Sequence, residues 1–166
     1  NREIVVGVIG LGYVGLPLAV EKAKAGFKTI GFDEQEVKVK MVNEGHNYIG
    51  DVVDKDLKRL VEEGRLSATS DFSFIKDVDF IAICVPTPLD IHQEPDLSCV
   101  RESTKSISKY LTKNTMVVLE STTYPGTTEE LVKPILEEGS GLKCGEDFYL
   151  GFSPERVDPG NLIYKT

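Results

Sequence analysis

The sequence predicts an α/β fold with a doubly wound, mainly parallel, six-stranded sheet that is covered by helices on both faces. Short apolar runs alternate along the chain with segments of helical periodicity, which is typical of parallel sheets joined by helices. Most of these runs are apolar without alternation, as expected for strands buried on both faces. The chain has 166 residues, a length that favours about one domain.

Five apolar runs are predicted strands, and one shorter run is a candidate sixth strand nearer the edge of the sheet. In chain order they are residues 4–9, 29–32, 66–69 (the shorter run), 80–85, 116–119 and 148–152. Five segments between them have apolar positions three and four apart, as in helices: 14–25, 36–44, 54–63, 98–111 and 128–138. Helix ends are indicated by Gly26, Gly45, Gly64 and Gly139, and Thr127 with Glu130 has the spacing of a capping box before the last helix.

Composition and charge exclude several classes of function. With 19 Lys and Arg against 27 Asp and Glu, the net charge is −8, and no basic cluster offers a surface to nucleic acid or to an anionic membrane. No apolar run is long enough to span a bilayer and no signal peptide precedes the first strand, so we expect a cytoplasmic protein. Cys84, Cys99 and Cys144 are far apart and odd in number, which indicates neither disulfides nor a metal site.

A glycine-rich turn joins the first predicted strand to the first helix. Gly10, Gly12 and Gly15 fit the pattern G-x-G-x-x-G, with Tyr13 and Val14 between the last two. The first glycine permits the tight turn, the second lets the backbone approach a pyrophosphate, and the third lets the helix pack closely on the sheet. The helix N-terminus then offers free N–H groups and the positive end of its dipole to the phosphates. The pattern therefore predicts a Rossmann-type dinucleotide site in an acidic chain.

Asp33 ends the second predicted strand, 18 residues after Gly15. A carboxylate at this place accepts hydrogen bonds from an adenosine ribose. The same charge disfavours a 2′-phosphate, because two unit charges about 4 Å apart repel by roughly 4 kcal/mol at an effective dielectric constant of about 20. We therefore predict NAD rather than NADP as the cofactor. The alternative is a purely structural glycine turn, with Asp33 as a solvated residue at the strand end.

The residues around this turn are more specific than the bare pattern, and the chain resembles the UDP-glucose/GDP-mannose dehydrogenase family. The matching segments are LGYVGLP at 11–17, KVKMVNEG at 38–45, CVPTP at 84–88, ESTTYPGTT at 120–128 and FSPERVDPG at 152–160. The SPERV form of the last segment is more similar to the branch that oxidises UDP-N-acetylhexosamines than to the UDP-glucose branch.

The resemblance implies an enzyme that oxidises C6 of a UDP-sugar to the carboxylate, reduces two NAD, and passes through a thioester on a cysteine. It implies a catalytic role for Thr122 and Glu155, which would position the hydrolytic water and act as acid or base. Glu155 and Arg156 would also contact the substrate. The implied NAD contacts outside the glycine turn and Asp33 are Lys38 near the adenosine ribose, then Val85, Pro86, Thr87, Ser121 and Thr122.

The family's nucleophilic cysteine lies in a Gly-x-Cys-x-Pro motif, which this sequence lacks. Cys84 lies in an apolar run and is expected to be a small core residue. We expect residues 1–166 to be one NAD-binding domain of a longer, homo-oligomeric protein, with the central helix and the C-terminal UDP-sugar domain absent and the chain alone inactive. Two alternatives remain open: another Rossmann dehydrogenase, of 6-phosphogluconate or hydroxyacid type, and a non-catalytic NAD-binding regulatory module.

Overall fold

Six parallel strands form one sheet in a computed structural model that describes residues 3–89, 91 and 93–155. The strands are β1 (Val5–Ile9), β2 (Lys28–Phe32), β3 (Leu66–Thr69), β4 (Phe80–Ile83), β5 (Met116–Leu119) and β6 (Tyr149–Phe152). Their order is β3-β2-β1-β4-β5-β6, and every neighbouring pair is parallel. The predicted α/β fold is confirmed, and so is the placement of β3 at an edge. The chain reverses its direction of winding between β1 and β4, which is where ligands bind in such sheets.

In the described residues, five α-helices connect the strands. They are α1 (Gly15–Lys24), α2 (Glu36–Asn43), α3 (Asp54–Glu62), α4 (Ser98–Ser108) and α5 (Lys133–Ser140). A 3₁₀ helix at Phe72–Asp77 was not predicted; it begins where the Asp71 carboxylate accepts the Ser73 N–H at 2.9 Å. Within the described ranges, none of the helices combines the length and hydropathy that crossing a membrane requires.

Helices cover both faces of the sheet, because successive residues of a strand point to opposite sides. Val6 and Val8 of β1 belong to one buried cluster, together with Leu16 of α1 and apolar residues of α3. Ile81 and Ile83 of β4 belong to a second buried cluster, which includes apolar residues of α4 and α5. Two separate cores therefore hold the sheet rigid between them, and its carboxyl edge is a fixed platform.

The last helix begins and ends differently from the prediction. Its first turn, Thr128–Val132, is a π-helical turn, and the Thr127 hydroxyl donates to the Tyr124 carbonyl at 2.8 Å, so the predicted capping box is wrong. Gly139 lies inside α5, where a Cβ would overlap the Ser108 hydroxyl of α4, and the helix ends at Gly141 with φ of 72°. The glycine at 139 therefore lets two helices pack closely and does not end one.

Strand β6 is less buried than its apolar run predicted. It lies at the edge of the sheet, where Tyr149 and Phe152 are each 49% exposed. These two side chains point to opposite faces of the sheet, so both faces of β6 are partly open, and the prediction of burial on both faces was wrong for this run.

Candidate dinucleotide site

The glycine turn between β1 and α1 needs two of its glycines for its own geometry. Gly10 has φ of 89°, which residues with a Cβ rarely adopt, and its N–H donates to the Phe32 carbonyl at 2.8 Å. A Cβ on Gly15 would overlap the carbonyl oxygen of Gly10, whereas a Cβ on Gly12 would meet no atom within 4 Å. The middle glycine therefore borders open space, as expected for the place where a ligand approaches the backbone.

Asp33 has a second role that the sequence did not reveal. Its side chain is buried, with the residue 8% exposed, so it is not a solvated charge at a strand end. Oδ2 accepts the Leu11 N–H and Oδ1 accepts the Gln35 N–H, each at 2.9 Å. The Lys38 ammonium lies 3.5 Å from Oδ2. Each carboxylate oxygen can accept more than one hydrogen bond, so Asp33 braces the glycine turn and can still accept a ribose hydroxyl.

The loops that follow β4 and β5 are tied together by two side-chain hydrogen bonds. The Thr87 hydroxyl donates to the Thr122 carbonyl at 2.6 Å, and the buried Ser121 hydroxyl donates to the Val85 carbonyl at 2.8 Å. These bonds hold the ends of two neighbouring strands in a fixed relation. The Thr122 side chain itself is exposed at the carboxyl edge.

A thiol and two carboxyl groups lie beside these loops. Cys84 is buried, and its Sγ lies 3.9 Å from Oε2 of Glu120, to which it donates. Burial, followed by the negative charges of Glu120 and Glu155, raises the pKa of the Cys84 thiol far above its ordinary value. Burial also raises the pKa of the Glu120 carboxyl; the charge of Lys22 opposes the rise, and that of Glu155 adds to it. Cys84 is thus a protonated thiol at neutral pH and not a thiolate nucleophile.

Two adjoining cavities run along the carboxyl edge of the sheet. The first, about 460 Å³, extends from the glycine turn to the ends of β4 and β5, and the second, about 310 Å³, extends from Asp33 to Phe72 and the start of α4. Both are lined by Gly10, Asp33, Lys38, Val85 and Pro86. Together they form an elongated depression suited to a long ligand with two different ends.

The first cavity collects most of the predicted site residues. It is lined by Gly10, Gly12, Tyr13, Val14, Asp33, Lys38, Val85, Pro86, Thr87, Ser121, Thr122 and Glu155. Gly15 is buried behind the turn, and Arg156 lies outside the described residues. In the part of the chain that the structure describes, no three or more His, Cys, Asp and Glu side chains are grouped so as to hold a metal ion.

Several residues that line the two cavities are not among the site residues predicted from the sequence. Tyr48, Ile49 and Glu120 border the first, and Phe72, Cys99 and Glu102 border the second. Only Glu120, next to the recognised Ser-Thr pair at a strand end, carried a signal in the sequence. The others come from segments without a motif and reach the cavity through tertiary packing.

The glycine turn at a helix N-terminus, the buried acid at the end of β2 and the cavity at the switch point define a Rossmann dinucleotide-binding domain. The model of the UDP-glucose/GDP-mannose dehydrogenase family, NAD binding domain, matches residues 4–166. The chain belongs to this family and is its NAD-binding domain, so its cofactor is NAD.

Individual relatives agree with this assignment. Protein CapL of Staphylococcus aureus is 43% identical over 99% of this chain, which covers 37% of that protein. The UDP-N-acetyl-D-glucosamine 6-dehydrogenase of Pseudomonas aeruginosa is 41% identical over 99% of this chain and is covered to 38%. The solved structure of NDP-N-acetyl-D-galactosaminuronic acid dehydrogenase from Methanosarcina mazei Go1 has a TM-score of 0.89 at 39% identity, covering 95% of this chain and 36% of that one. The chain therefore spans little more than a third of these relatives.

Proposed function

We propose that the chain is the cofactor-binding part of a longer UDP-sugar 6-dehydrogenase that oxidises a UDP-N-acetylhexosamine to its carboxylate with two NAD. The single observation that carries the proposal is the cavity in which the glycine turn, Thr122 and Glu155 meet. Relatives named as dehydrogenases of UDP-N-acetyl-D-glucosamine and UDP-N-acetyl-D-mannosamine support the hexosamine class.

In the proposed binding mode, the dinucleotide lies along the carboxyl edge of the sheet. The pyrophosphate rests on the turn formed by Gly12, Tyr13 and Val14, where free N–H groups and the dipole of α1 favour an anion. The adenosine ribose donates to Asp33, with Lys38 beside it. The nicotinamide end of the dinucleotide lies against the loops after β4 and β5, with contacts to Val85, Pro86, Thr87, Ser121 and Thr122.

The chemistry assigned to the chain's own side chains is proton transfer and water positioning. The bound nicotinamide supplies a hydride acceptor for each of the two oxidations. We assign to Glu155 the transfer of protons to and from water, and to the Thr122 hydroxyl a hydrogen bond that orients this water. The thioester nucleophile is assigned to another part of the longer protein, because this sequence lacks the Gly-x-Cys-x-Pro motif and because Cys84, which lines the cavity with Thr122 and Glu155, is buried and stays protonated. We propose that Arg156 contacts the substrate beside Glu155.

An assay of the longer protein that contains this chain tests the substrate class. NADH production is measured with UDP-N-acetyl-D-glucosamine, UDP-N-acetyl-D-mannosamine, UDP-glucose and 6-phosphogluconate. We expect one of the first two to give a kcat/KM at least about tenfold above the others, since the ratio of kcat/KM values measures discrimination between substrates. Turnover of 6-phosphogluconate and of no UDP-sugar would contradict the proposal.

The same assay tests the two catalytic residues. In the longer protein, Thr122→Ala and Glu155→Gln are expected to lower kcat by about a hundredfold, the usual range for a lost acid, base or orienting group. Glu155→Gln is expected to leave the Kd for NADH unchanged, whereas Thr122→Ala, which also removes a proposed NAD contact, is expected to raise it. Thr123→Ala is the matched control, because Thr123 lines a different cavity beside β6. The 166-residue chain alone is expected to bind NADH and to produce none from any UDP-sugar.

A further inference from the structure

A tyrosine outside every recognised motif contacts the glycine turn. Tyr48 lies in the loop between α2 and α3, is half-buried, and borders the first cavity. Its hydroxyl donates to the Leu11 carbonyl at 2.7 Å. The N–H of the same leucine donates to Asp33 at 2.9 Å. Leu11 is therefore held on both sides, by the acid at its N–H and by the phenol at its carbonyl.

The loop that carries Tyr48 is closed by its own hydrogen bonds. The Asn47 side-chain amide donates to the carbonyls of Ile49 and Val52, and its oxygen accepts the Ile49 N–H at 2.8 Å. The Asn47 N–H donates to the Asp54 carboxylate at the start of α3, at 3.2 Å. Ile49 and Val52 are buried in the same apolar cluster as α1. The position of the tyrosine is thus set by the fold and does not depend on a ligand.

The hydrogen bond to Leu11 fixes the orientation of the next peptide group. The carbonyl of Leu11 and the N–H of Gly12 belong to one planar trans peptide, in which they point in opposite directions. Gly12 has no side chain to hold that plane, and a Cβ there would meet no atom within 4 Å. One restraint on this peptide is therefore the hydrogen bond that the Leu11 carbonyl accepts from Tyr48.

The phenol is suited to act as a permanent donor. Burial, with the negative charge of Asp33 as a smaller cause, raises the pKa of the Tyr48 hydroxyl well above its ordinary value of 10.0. The hydroxyl therefore keeps its proton at neutral pH.

We propose that Tyr48 is a positioning residue for the dinucleotide, whose hydroxyl orients the Leu11–Gly12 peptide so that the turn faces the pyrophosphate. The inference rests on the proposed placement of the NAD pyrophosphate at this turn. A turn that is already ordered loses less conformational entropy when the ligand binds, which strengthens binding without a direct contact. The effect is confined to the part of the ligand that the turn contacts.

Tyr48→Phe in the full chain removes the hydroxyl and keeps the ring, so the packing of the loop is preserved. We expect the Kd values of NADH and of ADP-ribose to rise together by about three- to tenfold, the usual effect of one lost hydrogen bond. The Kd of adenosine, which has no pyrophosphate, is expected to stay unchanged. Tyr110→Phe, a tyrosine beyond the end of α4 and outside both cavities, is the matched control and changes none of these values.

The comparison of ligands separates a positioning role from a merely structural one. If Tyr48→Phe weakens adenosine as much as ADP-ribose, or lowers the Tm so far that all ligands bind worse, the tyrosine is structural and the inference is wrong. If the variant binds NADH as tightly as the parent, the inference is wrong, but the proposed placement of NAD is not contradicted. If the parent itself binds neither NADH nor ADP-ribose, the proposed placement of NAD is wrong, and so is this inference.

Discussion

The two ends of the cavity are built from different parts of the protein. At the end near the glycine turn, the structure relies on backbone groups: the positive φ of Gly10, the absence of a Cβ at Gly15, and the Leu11 N–H held by Asp33. At the end near β4 and β5, the candidate functional groups are side chains on strand ends, chiefly Thr122 and Glu155.

This difference separates binding from chemistry. The glycine turn is part of the connection between β1 and α1, so a chain that folds into this sheet forms the turn as well. The side chains to which we assign the chemistry follow the strand ends of that frame, and one set of strand ends can support many reactions. A rigid turn and a chemically independent opposite end would respond differently to substitution.

Gly15→Ala is expected to have the largest effect, and on stability. The Cβ of an alanine at position 15 would overlap the Gly10 carbonyl oxygen, a backbone atom that cannot move away by a side-chain rotation. We expect a loss of about 3 kcal/mol or more and a fall in Tm of about 10 °C, measured by thermal unfolding. A parent-like Tm would show that the turn can relax and is less rigid than we describe.

Gly12→Ala is expected to change binding and leave stability alone. A Cβ there meets no protein atom within 4 Å, so the Tm stays within about 2 °C of the parent value. The methyl group occupies the space assigned to the pyrophosphate, and the Kd of NADH rises by about a hundredfold. Gly50→Ala, also without a neighbour within 4 Å and outside both cavities, is the control. Unchanged NADH binding by Gly12→Ala would place the ligand elsewhere.

Asp33→Ala is expected to weaken NADH binding by about tenfold, because the ribose loses a charged acceptor. NADPH binding weakens less, since the Lys38 ammonium, 3.5 Å from the carboxylate in the parent, remains beside the site of a 2′-phosphate. The Kd for NADPH divided by the Kd for NADH, both taken from parallel titrations, therefore falls. Adding Lys38→Met removes the cation that attracts a 2′-phosphate and should restore only part of the preference for NADH, because the carboxylate is still absent. An unchanged ratio in Asp33→Ala would mean that Asp33 does not select the cofactor.

Glu120→Gln is expected to give the smallest effect, and one that depends on pH. Burial raises the folded-state pKa of Glu120 above its ordinary value of 4.5. The stability that this raised pKa provides is therefore fully present below about pH 4.5. It is lost as the pH rises through the folded-state pKa and the buried carboxyl becomes charged. The Tm of the variant should match the parent near pH 4 and exceed it increasingly towards pH 8. Glu138→Gln, on an exposed part of α5, should show no such trend. A Tm difference between Glu120→Gln and the parent that stays constant from about pH 4 to pH 8 would contradict the burial of the Glu120 charge.

The sequence predicts well what depends on neighbours in the chain. The turn at Gly10, Gly12 and Gly15 and the acid at Asp33 have fixed spacings within one strand-helix-strand unit, and the structure brings them to one edge. The roles proposed for Thr122 and Glu155 stay predictions, as do the cytoplasmic location and the homo-oligomeric state.

What the sequence did not predict depends on packing between distant segments. The hydrogen bond from Tyr48 to Leu11 joins residues 37 positions apart, through a loop that has no motif. Gly139 resembles a helix end in the sequence, and only the approach of α4 at Ser108 explains why a glycine lies inside α5. Tertiary contacts of this kind have no local pattern, so they are found only once the helices are placed on the sheet.

Titration of the 166-residue chain with NADH and NADPH, followed by NADH fluorescence, tests the central claim most directly. The claim is that the glycine turn and Asp33 bind NAD without any other part of a longer protein. We predict saturable NADH binding and an affinity for NADPH at least about tenfold lower, since the buried carboxylate repels a 2′-phosphate and Lys38 offsets only part of that repulsion. Equal affinities for the two nucleotides, or binding of neither, would contradict the claim.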